Sequence, residues 1–151
     1  MADTDRFRLR RFVERLVQAG ECEVREQATD LVDVAAVLDG NPRATHFRAV
    51  GPERAELVGN VMGSRRRLAI ALDTDETGLL PTLAKRLSQP HKPVKVSAKD
   101  APVQEVVLTG KDADLCALPV HLQHGEDGAP YISASLDFSR FPASDATNVG
   151  C

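Results

Sequence analysis

The chain has 151 residues, of which 42% are hydrophobic and 27% charged, with a net charge of -3. That length suits one ordinary domain that buries roughly two-thirds of its unfolded surface. The composition excludes a disordered tail, a collagen-like fibre and a disulfide-stapled miniprotein. The longest apolar runs have about five residues, as in Leu68–Leu72, and a membrane span needs about 20. The start, Met1-Ala2-Asp3-Thr4-Asp5, is polar and acidic and does not read as a secretory signal. With 19 basic and 22 acidic residues there is no global footprint for nucleic acid or an anionic membrane. Aromatic residues make up 4%, without a Trp, which disfavours base-stacking platforms. Cys22, Cys116 and Cys151 are far apart and form no CxxC pair, as expected of reduced thiols in a cytoplasmic protein.

In chain order, Leu9, Phe12, Val13, Leu16 and Val17 recur at helical spacing, with arginines on the other face and Gly20 placed for a left-handed cap. Glu21 to Glu26 reads as a short strand around Cys22 and Val24. Thr29 or Asp30 can cap a second helix through Leu31, Val34 and Leu38, which Gly40-Asn41-Pro42 stops. Strands are expected at Thr45–Val50 and Ala55–Met62, with Gly51-Pro52 turning between them. Ser64 is placed to cap a third helix through Leu72, and a fourth runs from Leu79 to Leu87. Residues 89–93 form a connector.

Beyond it, Pro102–Leu108 reads as a strand, and Asp112–Leu118 as a turn or helical piece closed by Pro119. His121–Pro130 is a polar loop. Tyr131–Phe138 alternates, with Ile132, Ala134, Leu136 and Phe138 on one face, the pattern of a half-buried strand. Phe141–Ala146 leads out of it, and a further strand begins at Thr147. The whole is a mixed α/β protein.

Several residues could carry chemistry. Ser64 and Arg65-Arg66-Arg67 at a helix start read either as an anion site or as a solvated, salt-bridged face. His121 and His124 would suit a metal on a helix, but Pro119, Gly125 and Gly128 indicate a loop, where that spacing has little meaning. His46 and His91 are isolated and read as structural. Cys116, between Leu115 and Ala117, reads as a buried, inert thiol. Gly59 and Gly63 lack the spacing of a nucleotide loop and mark a turn. No self-sufficient catalytic constellation is present.

Four segments in order resemble the N-terminal part of the UbiD family of decarboxylases. They are Leu9–Leu16 with Ala19-Gly20-Glu21, then Leu57–Arg67, then Pro102–Val107 continuing through Asp114-Leu115 to Leu118-Pro119, and last Gly128–Ile132 with Thr147–Gly150. The resemblance implies an N-terminal α/β (α+β) domain over 1–100 and, over 101–151, the beginning of a split β-barrel flavin-binding domain. It implies non-oxidative (de)carboxylation of an aromatic, heteroaromatic or α,β-unsaturated acid with prenylated FMN, Mn2+ and often K+. The family's metal–phosphate asparagine matches Asn148, with Val149, Gly150 and Cys151 approaching the phosphate. The Ser133–Ser135 segment would border the pocket. Arg65–Arg67 match the family's N-terminal pattern, which favours a structural role for them.

The family's remaining metal ligands, its phosphate-gripping arginine and its proton-handling Glu-Arg-Glu network match no position here, and none is carried onto Glu126 or Asp127. The 151 residues alone are therefore expected to be inactive. The resemblance further implies a small-molecule acid substrate, no nucleic-acid or membrane partner, and a homo-oligomeric full-length protein. The competing reading is a non-catalytic binding or scaffold module built on the same N-terminal domain.

Overall fold

A computed structural model of the chain describes residues 5–90, 92, 94–144 and 146–150. The expectations placed on the first four residues, on His91 and Pro93 in the connector, on Asp145 and on Cys151 lie outside this set. The N-terminal half is a three-stranded sheet in the order β1-β2-β3, formed by β1 (Cys22–Arg25), β2 (Ala44–Val50) and β3 (Ala55–Gly59). Strand β1 runs parallel to β2, and β3 antiparallel to it. Among the described residues the α-helices are α1 (Leu9–Gln18), α2 (Val34–Leu38), α3 (Arg65–Leu72) and α4 (Leu79–Leu87), with α4 packed on α3. The α/β class is as expected.

The helix ends follow local chemistry. At the end of α1, Gly20 takes φ 71°, a backbone that suits glycine, and Glu21 N–H donates to Leu16 O at 2.8 Å. Ser64 caps α3: its Oγ accepts from Arg67 N–H at 3.1 Å. At the other end of α3, Arg15 donates to the Ile70 carbonyl, which also accepts from Asp73 N–H, and Arg86 donates to the Leu72 carbonyl. The second helix is only half α-helical, because Leu31–Asp33 forms a 3-10 turn and Asp30 makes no side-chain cap bond. Strand β3 stops at Gly59, short of Met62, because Asn60 adopts φ 56° and turns the chain.

Two apolar clusters flank the sheet. Val13, Leu16, Cys22 and Ala44 form one, with Val58 and Ile70 packed on it. Val34, Phe47 and Val50 form the other, with Leu38 and Leu57. Ala44 and Val50 have the same parity in β2 yet belong to different clusters. The cause is a register shift between Phe47 and Val50, opposite Leu57 and Ala55. One extra residue on a strand moves the residues after it to the other face.

No described residue from 94 to 150 is buried. This segment is a string of 3-10 turns ending in a two-stranded antiparallel hairpin, β4 (Asp137–Arg140) and β5 (Thr147–Gly150). Two expectations fail here. Pro102–Leu108 is not a strand; Pro102–Gln104 is a 3-10 turn, and Val106 remains 73% exposed. A strand needs a partner, and 102–108 finds none among the described residues. Likewise Tyr131–Phe138 is not a half-buried strand. Only Asp137 and Phe138 of it enter β4, and Ile132, Leu136 and Phe138 face solvent because no second layer covers them. Where the resemblance implies the beginning of a split β-barrel, over 101–151, this hairpin supplies the strands found among the described residues.

Candidate functional site

The arginine cluster at the start of α3 is committed to the protein itself. Arg67 is 2% exposed and donates through Nη1 to the Pro42 carbonyl at 2.8 Å, with Glu21 Oε2 at 3.4 Å. Arg66 pairs with Glu21 Oε1 at 3.1 Å, and Arg65 donates to the Glu76 carbonyl at 3.4 Å. All three therefore serve the fold. A Cβ added at Gly63 would lie 2.8 Å from Arg67 Nη2, so the buried guanidinium would have to shift.

His121 and His124 lie in a loop, as expected. The His124 N–H donates to Asp127 Oδ2 at 2.9 Å, closing the turn. Among the described residues no group of three His, Cys, Asp or Glu side chains could hold a metal ion. Cys116 corrects an expectation: it is exposed, on a 3-10 turn that Asp114 Oδ1 caps by accepting from Cys116 N–H. The buried thiol is Cys22, and burial pushes its pKa up.

A groove of about 800 Å³ opens between α1 and the part of the sheet that α1 leaves uncovered. Val13, Val17 and Val24 line its apolar wall, and a polar strip of His46, Glu56 and Arg48 crosses it. Glu56 Oε1 accepts from Arg48 Nη1 at 3.0 Å, and Glu56 Oε2 lies 3.5 Å from His46 Nε2. The Arg48 hydrogen bond holds the Glu56 carboxyl below its ordinary range. Sequence reading treated His46 as isolated. The alternation of His46 and Arg48 along one strand was its only local signal.

Asn148, the predicted metal residue, lies in β5 directly opposite Ser139. Val149 lies opposite Phe138 and Gly150 opposite Asp137. Asn148 and Val149 are exposed and Gly150 is partly covered. The hairpin thus brings Asn148 to Ser139 and Asp137, neither of which sequence reading chose. An amide carbonyl, a hydroxyl and a carboxylate are hard oxygen donors of the kind that Mn2+ accepts, so this face fits a divalent cation. Ser133 lies in a turn between Ile132 and Ser135, away from the hairpin ladder.

Two family models match the chain in sequence order. The 3-octaprenyl-4-hydroxybenzoate carboxy-lyase (UbiD) N-terminal domain covers residues 13–87, and the Rift-related domain of the same carboxy-lyase covers residues 94–151. Among solved structures, the chain is similar to an evolved dimeric form of the UbiD-class enzyme HmfF from Pelotomaculum thermopropionicum in complex with prFMN. The identity is 28% and the TM-score 0.80, over 93% of this chain and 34% of that one. It is also similar to the vanillic acid decarboxylase of Sedimentibacter hydroxybenzoicus in open form, at 27% identity and TM-score 0.79, over 94% of this chain and 32% of that one. An uncharacterized protein in the cooM 5′ region of Rhodospirillum rubrum is 31% identical over 148 residues, 93% of this chain and 31% of the relative. The chain therefore spans about a third of the length of these relatives.

Proposed function

The chain belongs to the UbiD carboxy-lyase family, and from that premise we propose that it is part of a non-oxidative (de)carboxylase. Its substrate class is an aromatic, heteroaromatic or α,β-unsaturated carboxylic acid. Its cofactors are prenylated FMN and Mn2+, with K+ beside them. The observation that supports this reading is the ordered match of both UbiD models across residues 13–87 and 94–151. The prFMN complex of the similar HmfF agrees with it.

When bound, prenylated FMN supplies the electron sink for breaking the bond to the carboxyl group. The chain's own contribution is binding. The Asn148 amide oxygen holds the divalent cation, and the backbone from Val149 to Cys151 approaches the cofactor phosphate. Residues 1–100 form the scaffold domain and 101–151 the first part of the cofactor domain. The family's proton-handling Glu-Arg-Glu network matches no position among these 151 residues, so turnover by them alone is not expected.

The test fuses the chain to the portion of HmfF outside the matched third and loads the product with prenylated FMN and Mn2+. Cofactor retention, read from the flavin spectrum, and carbon dioxide release from a panel of unsaturated acids are then measured. Retention with turnover in the fusion, and no turnover by the 151 residues alone, supports the proposal. A folded fusion that retains no flavin favours the scaffold-module reading.

A further inference from the structure

The hairpin register reaches beyond Asn148. Side chains alternate along a strand, and directly opposed residues of an antiparallel pair share a face. Ser139 opposes Asn148 and Asp137 opposes Gly150, so Asp137, Ser139 and Asn148 occupy one face. Phe138, Arg140, Thr147 and Val149 occupy the other. Arg140 is consequently on the wrong side to neutralise Asp137. Gly150 leaves the position across from Asp137 without a side chain. The Ser135 hydroxyl donates to Asp137 Oδ2 at 3.0 Å, and no ion pair reaches this carboxylate among the described residues.

An uncompensated carboxylate repels a phosphate and attracts a divalent cation. A face carrying one beside an amide and a hydroxyl is an oxygen donor set for a hard cation, not an anion cradle. We propose that Asp137 is a further cation-holding residue beside Asn148, oriented by Ser135, and that a phosphate joins this face only after the divalent cation. This rests on the assignment of the cation to Asn148 made above, and each residue can fail separately. All three side chains are exposed, so their substitution leaves the packing of the sheet domain untouched.

The experiment titrates Mn2+ into the 151-residue chain and follows the loss of the free-ion signal by electron paramagnetic resonance. Asp137→Asn and Asn148→Ala should each weaken Mn2+ binding by about tenfold or more, and Asp112→Asn, at an exposed acid outside the hairpin, should not. If Asn148→Ala weakens binding and Asp137→Asn does not, Asp137 is excluded and the Asn148 assignment stands. If only Asp137→Asn weakens it, Asp137 stands and the Asn148 assignment falls. No Mn2+ uptake by the wild-type chain, or an equal loss in Asp112→Asn, overturns the proposal. FMN, followed by its fluorescence, should bind the wild-type chain with Mn2+ and not in EDTA. Equal binding in both, or in neither, overturns the cation-first order.

Discussion

Glu21 holds Arg67 inside the fold: its Oε2 lies 3.4 Å from Arg67 Nη1, and the arginine is 2% exposed whereas the glutamate side chain is 18% exposed. The two are 46 residues apart, and the pair fixes the start of α3 against the turn after α1. Arg67 Nε has no hydrogen-bond partner. Removing Glu21 leaves a buried cation with only the Pro42 carbonyl, whereas removing Arg67 leaves Glu21 its pairing with Arg66. Glu21→Ala should therefore cost about 3 kcal/mol, and Arg67→Met distinctly less. Urea unfolding followed by far-ultraviolet circular dichroism checks the order. A larger loss in Arg67→Met would show that the guanidinium contributes more than its charge pairing with Glu21.

The cap on the same helix is a separate, smaller contribution. Ser64 Oγ accepts from Arg67 N–H at 3.1 Å, and Ser64→Ala removes that acceptor. The expected loss is about 1 kcal/mol, and Ser64→Asp should restore most of it. Thermal midpoints of the three proteins measure this directly.

Those two residues also show what was legible. Ser64 and the helix it caps are local signals, as are α4 and Gly20, and the structure has them where the spacing put them. Burial of Arg67 is not local. It depends on a side chain reaching Glu21 and Pro42, and a run of three arginines resembles a surface strip until that contact forms. The same limit applied to Tyr131–Phe138. Alternation reports how a segment would pair, and only Asp137–Arg140 has a partner strand among the described residues. Asn148 was reached by resemblance, whereas Asp137 and Ser139 beside it emerge only from the hairpin register. The crossing of Val50 to the second cluster needed the register shift after Phe47, which no pattern in Thr45–Val50 announces.

Gly59 offers a test of packing below the sheet. A Cβ there would lie 2.6 Å from both methyl carbons of Leu38 and 3.1 Å from its Cγ, so the whole leucine side chain would have to move. Gly59→Ala should destabilise the chain by about 1 to 3 kcal/mol through overpacking. Leu38→Ala opens the space, so the double variant should lose less than the sum of the single ones. A double-mutant cycle in urea reads the coupling, and simple additivity would place Leu38 elsewhere.

The thiols differ in the same way. Cys22 is buried with its pKa pushed up, and Cys116 is exposed. The thiolate is the reactive form, so Cys22 is protected by both access and protonation. On a Cys151→Ser background at pH 8, a chromogenic disulfide reagent should label Cys116 within the fast phase and Cys22 only on unfolding. Cys116→Ser should abolish the fast phase. Rapid labelling of Cys22 in native buffer would mean that the cluster of Val13, Leu16 and Ala44 opens readily.

Glu56 gives the groove a pH signature with a definite sign. Its carboxyl is held below the ordinary range, first by the Arg48 hydrogen bond and then by His46. A carboxyl whose pKa is lower folded than unfolded contributes its stabilisation fully above the unfolded value, about 4.3. That contribution fades as the pH falls through the lower, folded value, because protonation then no longer costs the folded state more. Glu56→Gln should thus be less stable than wild type at pH 7, and the two should converge as the pH falls through the folded value. The side chain is exposed, so the gap should be small and should shrink with added salt. Thermal midpoints at pH 7 and pH 3, each with and without 1 M sodium chloride, give the four values needed. A gap that survives at pH 3 would assign the effect of the substitution to packing against the groove wall rather than to the charge.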